Sequence, residues 1–387
     1  MEHLITKYLN AKLSKKERKQ LKSWVKKNPE HLKIFKERIQ SHAYVIPLHF
    51  DADKAFEKFY NQLQLRKQGY KRRIRILSAA ASFIALLSLG LAYFNSHPLI
   101  QEEDKITTTE KGFKEIQLTL PDGSQQIIDK KSKVPIKSKD GQLIANKTED
   151  ILDFSSFQKK EEDTSITQLD IPYGEKLKIK LSDGTLVWLN SGTRFKFPQT
   201  FDSSTKKRQV EVIGEAYFEV AHNAKVPFLV STPSVNVKVL GTHFNISSYA
   251  NDSKTETTLM EGSVSVEDSK SYKTSLILKP NQQAVYEKTD AHLGVIEVNA
   301  NDFRSWIDDI LVVDSLTFLE LKNKLERKYN VTISSEIEEL WSTEYRGEFQ
   351  DESLKETLET IALSSSFDYQ IDGKHVKIFS KAKKTNP

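Results

Sequence analysis

Nineteen consecutive residues without a charge, Ile76 to Phe94 (ILSAAASFIALLSLGLAYF), constrain this chain more than any other feature. At about 1.5 Å per residue, a helix of that length spans roughly 28 Å, close to the thickness of a bilayer's hydrocarbon core. A buried helix of a globular domain rarely stays apolar on every side for five turns, so the run predicts one transmembrane helix over 76–94. A cleaved signal peptide fits poorly, because 75 residues precede the run and it is longer than an h-region. Arg66, Lys67, Lys71, Arg72, Arg73 and Arg75 crowd its N-terminal side, whereas Asn95, Ser96, His97 and Pro98 follow it. The positive-inside rule therefore predicts a cytosolic N-terminus, with the C-terminal region across the membrane.

Charge divides at the same place. Residues 1–75 hold 20 Lys and Arg against 7 Asp and Glu, a net of +13, while the whole chain carries only +5. The span is neutral, so residues 95–387 carry the difference, −8. Basic residues near a bilayer are drawn to its anionic inner leaflet. Direct nucleic-acid binding is disfavoured: the basic residues are not interleaved with aromatic platforms, and no DNA-binding motif is present. There is no cysteine, which excludes disulfides and Cys-based zinc sites, and the nine His show no paired metal spacing. No metal or other cofactor is expected.

The first region, 1–75, reads as a small all-α bundle. Leu4, Ile5, Tyr8 and Leu9 form one apolar stripe. Ser14 and Glu17 have capping-box spacing ahead of a helix whose inner face carries Leu21, Trp24 and Val25. Pro29 opens a helix with Leu32, Phe35 and Ile39, and a fourth segment after Asp51 carries Phe56, Phe59, Tyr60 and Leu63. So short a region buries little surface, so part of this apolar area is predicted to meet a partner.

Beyond the span, 95–110 is a polar linker, and two-residue alternation begins at 111. Ile116, Leu118 and Leu120 before Asp122-Gly123-Ser124 repeat as Leu177, Ile179 and Leu181 before Asp183-Gly184-Thr185, two Asp-Gly hairpins. The region 111–167 is thus β-rich, with a polar, loop-rich insert over 130–163. Residues 168–290 predict an all-β domain of short strands, solenoid-like or sandwich-like, which strand period alone does not separate. Residues 312–380 predict an α+β module of order βαβ then βαββ. Its helices open at Ser315 and Thr317 and at a Ser353–Glu356 capping box, and Asp372-Gly373 turns its last hairpin.

Several strings of the all-β region, VEVIGEAYFEV from Val210, PFLVSTPSVNVKVLGTHFNISSY from Pro227, LMEGSVSV from Leu259 and LKPNQQAVY from Leu278, resemble the FecR family of transmembrane sigma-factor regulators. The head string YLNAKLSKKERKQLKSWVKKNPE from Tyr8 is similar to the family's cytosolic sigma-binding segment. The C-terminal module resembles the short N-terminal domain of secretins and TonB-dependent receptors. The resemblance implies a single-pass protein of the bacterial inner membrane, cytoplasmic at its N-terminus and periplasmic at its C-terminus. As an anti-sigma factor it would hold an extracytoplasmic-function (ECF) sigma factor through Leu21, Trp24, Val25, Leu32 and Phe35. Its periplasmic part would meet the signalling domain of an outer-membrane TonB-dependent transducer.

Some members of that family cleave themselves between Gly and Thr, and the matching residues here are Gly241 and Thr242. Thr242 would attack the Gly241 carbonyl in an N-to-O acyl shift. His243 is a poor base, because on a strand it points to the face opposite Thr242. A plain strand bend is the simpler reading of the same two residues. Gly214 and Glu215 read as a turn glycine and a strand-edge carboxylate, and Trp188 and Trp306 as core aromatics or receptor contacts. The competing functions are an envelope structural or carbohydrate-binding protein without sigma-factor regulation, and an envelope hydrolase. No phosphate loop, metal cluster or nucleophile elbow supports an enzyme.

Overall fold

The computed structural model describes residues 2–9, 15–28, 30–31, 33–35, 114–148, 151–155, 165–201, 207–271, 275–365 and 367–381. They belong to two compact units, 1–110 and 111–387.

In the first unit, α1 (Glu2–Leu9) and α2 (Lys15–Lys27) are followed by a short helical run at 33–35. Leu4 and Ile5 of α1 and Leu21 of α2 are buried together, and Trp24, Val25 and Phe35 pack partly against them. Lys7 Nζ donates to the Glu17 carboxylate at 2.6 Å. The expected bundle is therefore corrected among the described residues to a helix pair with a third partial turn. Helices of 8 and 13 residues offer too little apolar stripe to enclose more. Ser14, the segment Phe56 to Leu63 and the predicted span at 76–94 lie outside the described residues. Among the described residues no helix is long and apolar enough to cross a membrane.

The second unit is mostly β. Strands β1 (Gln117–Thr119), β2 (Gln125–Ile127), β3 (Ile136–Lys137), β4 (Leu143–Lys147) and β5 (Leu152–Asp153) lead into β6 (Ile166–Asp170), β7 (Leu177–Lys180), β8 (Leu186–Leu189) and β9 (Arg194–Pro198). Then come β10 (Arg208–Glu219), β11 (Phe228–Ser231), β12 (Val235–Val239), β13 (His243–Ser248), β14 (Lys254–Glu261), β15 (Val264–Asp268), β16 (Ser275–Leu278), β17 (Gln282–Glu287) and β18 (His292–Glu297).

The strands pair into two arrays that share one strand and one core, a sandwich-like arrangement. One sheet runs β2-β1-β6-β9-β10-β11-β12-β15-β16, and a second runs β4-β5-β7-β8-β10-β13-β14-β17-β18. Successive hairpins alternate between the two sheets, and β10 belongs to both. Its residues Glu211 to Ile213 pair with β9, and Gly214 to Glu219 pair with β13. The transfer happens at Gly214, whose φ of 122° is barred to side chains. A Cβ there would stand 2.6 Å from Thr193 Cα. Inward residues of both sheets, among them Val210, Phe228, Val237, Phe218, Phe244 and Ile179, fill one continuous core.

The two Asp-Gly turns share one geometry. Ser124 and Thr185 each donate a backbone N–H to the aspartate two residues earlier, at 2.8 and 3.0 Å. They differ in what lies above them. Asp183 also accepts from the buried Arg208 at 2.8 Å, which fastens the second turn to β10. The stretch expected to be loop-rich, 130–163, instead contributes β3, β4 and β5, with Ile136, Ile144, Leu152 and Phe154 buried in the shared core. Strands of two to five residues in a polar background give too few alternations to read. Residues 149–150 and 156–164 lie outside the described residues.

The C-terminal module comprises β19 (Leu311–Thr317), α3 (Phe318–Tyr329), β20 (Thr332–Ser335), β21 (Glu344–Phe349), α4 (Leu354–Ser365), β22 (Phe367–Asp372) and β23 (His375–Ser380). β19 pairs with β21, and β20-β23-β22 form a three-stranded sheet. Helix α3 begins at a reciprocal capping box between Thr317 and Glu320. Ser353 and Glu356 exchange the same pair of bonds ahead of α4. Phe318, Leu321, Leu325, Leu358, Phe367 and Ile378 form a core distinct from that of the sandwich.

Candidate functional site

Gly241 and Thr242 occupy the bend between β12 and β13. Thr242 is 4% exposed, and its hydroxyl donates to the Ser263 carbonyl at 3.1 Å. Its own carbonyl accepts from Val220 N–H at 3.1 Å, and the Leu240 carbonyl accepts from Asn223 N–H at 2.7 Å. Gly241 is crowded by His222: a Cβ would fall 2.6 Å from the imidazole Nδ1 and 2.7 Å from the His222 Cα. A glycine is therefore required for close approach, not for a positive φ. His243 turns away as its strand position predicts, its Nδ1 lying 3.2 Å from the Glu261 carboxylate. The imidazole beside Gly241 is thus that of His222, in the loop after β10, a neighbour no sequence spacing announces.

A second constellation lies where the C-terminal module meets the outer side of the second sheet. Glu215 is buried, not at a strand edge, and accepts from Asn190 Nδ2 at 2.7 Å and Asn245 Nδ2 at 3.0 Å. Asn245 in turn accepts from Trp306 Nε1 at 3.2 Å, which ties the connector to the sheet. One turn further, Arg327 of α3 grips Asp252 with both arms, Nη1 to Oδ1 at 2.9 Å and Nη2 to Oδ2 at 3.0 Å. Its guanidinium lies 3.8 Å from the centroid of the Tyr249 ring. Asn323 adds a bond to Asp252 at 3.0 Å, and the Arg327 carbonyl accepts from Gly174 N–H at 2.8 Å.

Burial opposes the charge on Arg327, but the Tyr249 oxygen and the Asp252 carboxylate outweigh it and hold the guanidinium above its ordinary pKa. Burial pushes the Tyr249 phenol well up, with the Glu215 charge adding to it. Lys288 is lowered by burial, and it donates to the carbonyls of Tyr249 and Asp252 at 2.5 and 2.8 Å. Burial also raises the Glu256 carboxyl, against the pull of Lys324 and Lys254.

Of the head residues singled out, Leu21 is buried, while Trp24, Val25 and Phe35 are half-buried and keep part of their apolar surface accessible. Trp24 stacks on His31 at 4.3 Å between ring centroids. Leu32 lies outside the described residues. Trp188 stands under Lys178 at 4.4 Å and beside Tyr217 at 5.4 Å. The Tyr217 phenol is pushed up to about 12 by burial and by Glu219.

These elements define a class: a two-sheet β domain whose outer face carries a βαβ-βαββ module behind a short connector. Residues 167–265 match the family described as FecR protein, and residues 310–378 match the family described as FecR, C-terminal. Over these two regions the chain carries a FecR module followed by a FecR C-terminal module. Two crystal structures of a "putative anti-sigma factor" from Parabacteroides distasonis ATCC 8503 are similar to it at 28% identity, with TM-scores of 0.52 and 0.53. Each alignment covers 56% of this chain, and 99% and 100% of those chains. Comparison with curated proteins gives no match.

Proposed function

We propose that this chain is an anti-sigma regulator that crosses the inner membrane once, through residues 76–94. The head within residues 1–75 binds an ECF sigma factor, and the region 111–387 receives a signal from an outer-membrane TonB-dependent transducer. The observation that carries this reading is the order of the two FecR modules on one chain, 167–265 and then 310–378, together with likeness to an anti-sigma factor structure over almost all of that structure's length. The charge division supports it: a +13 head precedes an uncharged nineteen-residue run, and a −8 region follows. Trp24, Val25, Leu32 and Phe35 form the sigma-binding surface, and Leu21 supports it from the buried contact of α1 with α2. Trp24, Val25 and Phe35 are suited to this because a contact of three buried residues in α1 and α2 leaves them partly uncovered.

Holding a sigma factor at the bilayer keeps it from promoters and covers the surface it offers to RNA polymerase. A sigma-dependent reporter tests this. Co-expression of the full chain lowers its output, and a chain carrying Trp24→Ala and Phe35→Ala lowers it less. Equal output with and without the chain removes the proposal.

The same reading includes cleavage between Gly241 and Thr242. The Thr242 hydroxyl adds to the Gly241 carbonyl carbon, the Gly241–Thr242 C–N bond breaks as the hydroxyl proton passes to nitrogen, and water opens the resulting ester to a Gly241 carboxylate and a second fragment beginning at Thr242 with its hydroxyl restored. Wild type is expected to run as two fragments and Thr242→Ala as one band. Identical bands for both contradict it.

A further inference from the structure

The sandwich and the C-terminal module have separate apolar cores with no residue in common. What joins them is polar. Asp252 is held by Arg327 and Asn323, Asn245 by Trp306, and Lys254 stands 3.8 Å from Glu320. Lys176 of the sandwich contacts both the Asp309 carboxylate and the Trp306 carbonyl. Polar joints of this kind resemble transient protein–protein contacts more than a continuous core.

The geometry points to a releasable joint: the module 311–380 swings as a body about the connector 304–310 when Arg327 leaves Asp252 and Tyr249, baring the outer face of the second sheet. Three features support release. First, opening returns both partners of the ion pair to water. The attraction between buried charges roughly offsets their desolvation, so parting them together costs far less than stranding one of them. Second, the receiving turn survives the parting, because Lys288 holds its Tyr249 and Asp252 carbonyls from within the sandwich. Third, the connector contains a built pivot. Asp309 sits at φ 62° and is tied from the sandwich by Lys176 and from the module by Lys328 at 3.8 Å. The face bared by release is lined by Asp252, Lys254 and Glu256, side chains that water solvates.

The inference is independent of the sigma-factor reading, and it has its own test. The chain has no cysteine, so Lys238→Cys on β12 and Lys355→Cys on α4, both exposed positions, accept spin labels in the full chain held in lipid nanodiscs. Pulsed electron resonance of the otherwise wild-type chain gives one dominant distance. Arg327→Ala raises the share of a second, longer distance by about tenfold. Arg327→Lys keeps a charge but loses the two-armed grip, gives an intermediate share, and serves alone if the alanine variant does not fold. Arg346→Ala removes a bond to Asp314 that lies wholly within the module, and it leaves the distribution unchanged. A folded Arg327→Ala or Arg327→Lys chain with the wild-type distribution overturns the joint. So does an equal shift with Arg346→Ala.

Discussion

The interior of the sandwich and its joint with the C-terminal module are both buried, yet they are built from opposite chemistry. Inside the sandwich, Phe218, on the part of β10 that lies in the second sheet, stacks on Phe244 at 5.0 Å and stands 6.0 Å from Phe228 of the first sheet. At the joint a single residue, Arg327, makes a bidentate pair and a ring contact through its guanidinium and accepts a backbone bond from Gly174 through its carbonyl. Apolar burial is non-directional and grows with area, so it makes a body that yields only as a whole. A charge pair depends on geometry and costs little to part when both ends meet water. The difference identifies what can move while the domains stay folded.

The largest expected effect breaks the body. Phe218→Ala should cost about 4 kcal/mol by leaving a cavity at the meeting of the sheets, measured by denaturant unfolding followed through signals of the sandwich. Next comes the joint. Arg327→Ala strands Asp252 and should cost about 3 kcal/mol, but calorimetry should show it as a splitting of one transition into two, because each module keeps its own core. A single transition lowered as a unit would show that the two regions are energetically one.

Thr317→Ala sharpens the comparison from the other side. It removes the capping box of α3 and should cost about 1 kcal/mol, confined to the module's transition. Glu256→Gln has the smallest effect and a defined sign. Burial raises the folded pKa of Glu256 above 4.5, so between 4.5 and the raised value the folded state binds more protons than the unfolded one. Wild-type stability through this group therefore falls as pH rises across that window. Glu256→Gln removes this fall and should make the protein slightly more stable at neutral pH, which melting curves at several pH values would report.

Much of the fold could be read from short-range chemistry. The Asp-Gly turns at Asp122 and Asp183, the alternation through β7 and β8, and the Ser353–Glu356 box are all encoded within a few residues. What escaped is long-range. In sequence Arg327 is one more basic residue in the last turn of a helix, and Asp252 is a turn aspartate 75 positions away. The placing of His222 against Gly241 depends on the return of β13 beside β10, which no local pattern specifies. Glu215 looked like a strand-edge carboxylate because alternation tells which residues leave the core, not what covers them afterwards. The polar stretch before β6 conceals three short strands because none of them buries more than two apolar residues.

The proposed sigma-binding surface rests on residues of the head. Its most direct measurement is recovery of the affinity-tagged full chain from membranes of its own host, with the bound proteins identified by mass spectrometry. A sigma factor in wild-type eluates, depleted when Trp24→Ala and Phe35→Ala are combined, is the predicted result. Eluates that contain no sigma factor, or the same amount from the double variant, would contradict the assignment.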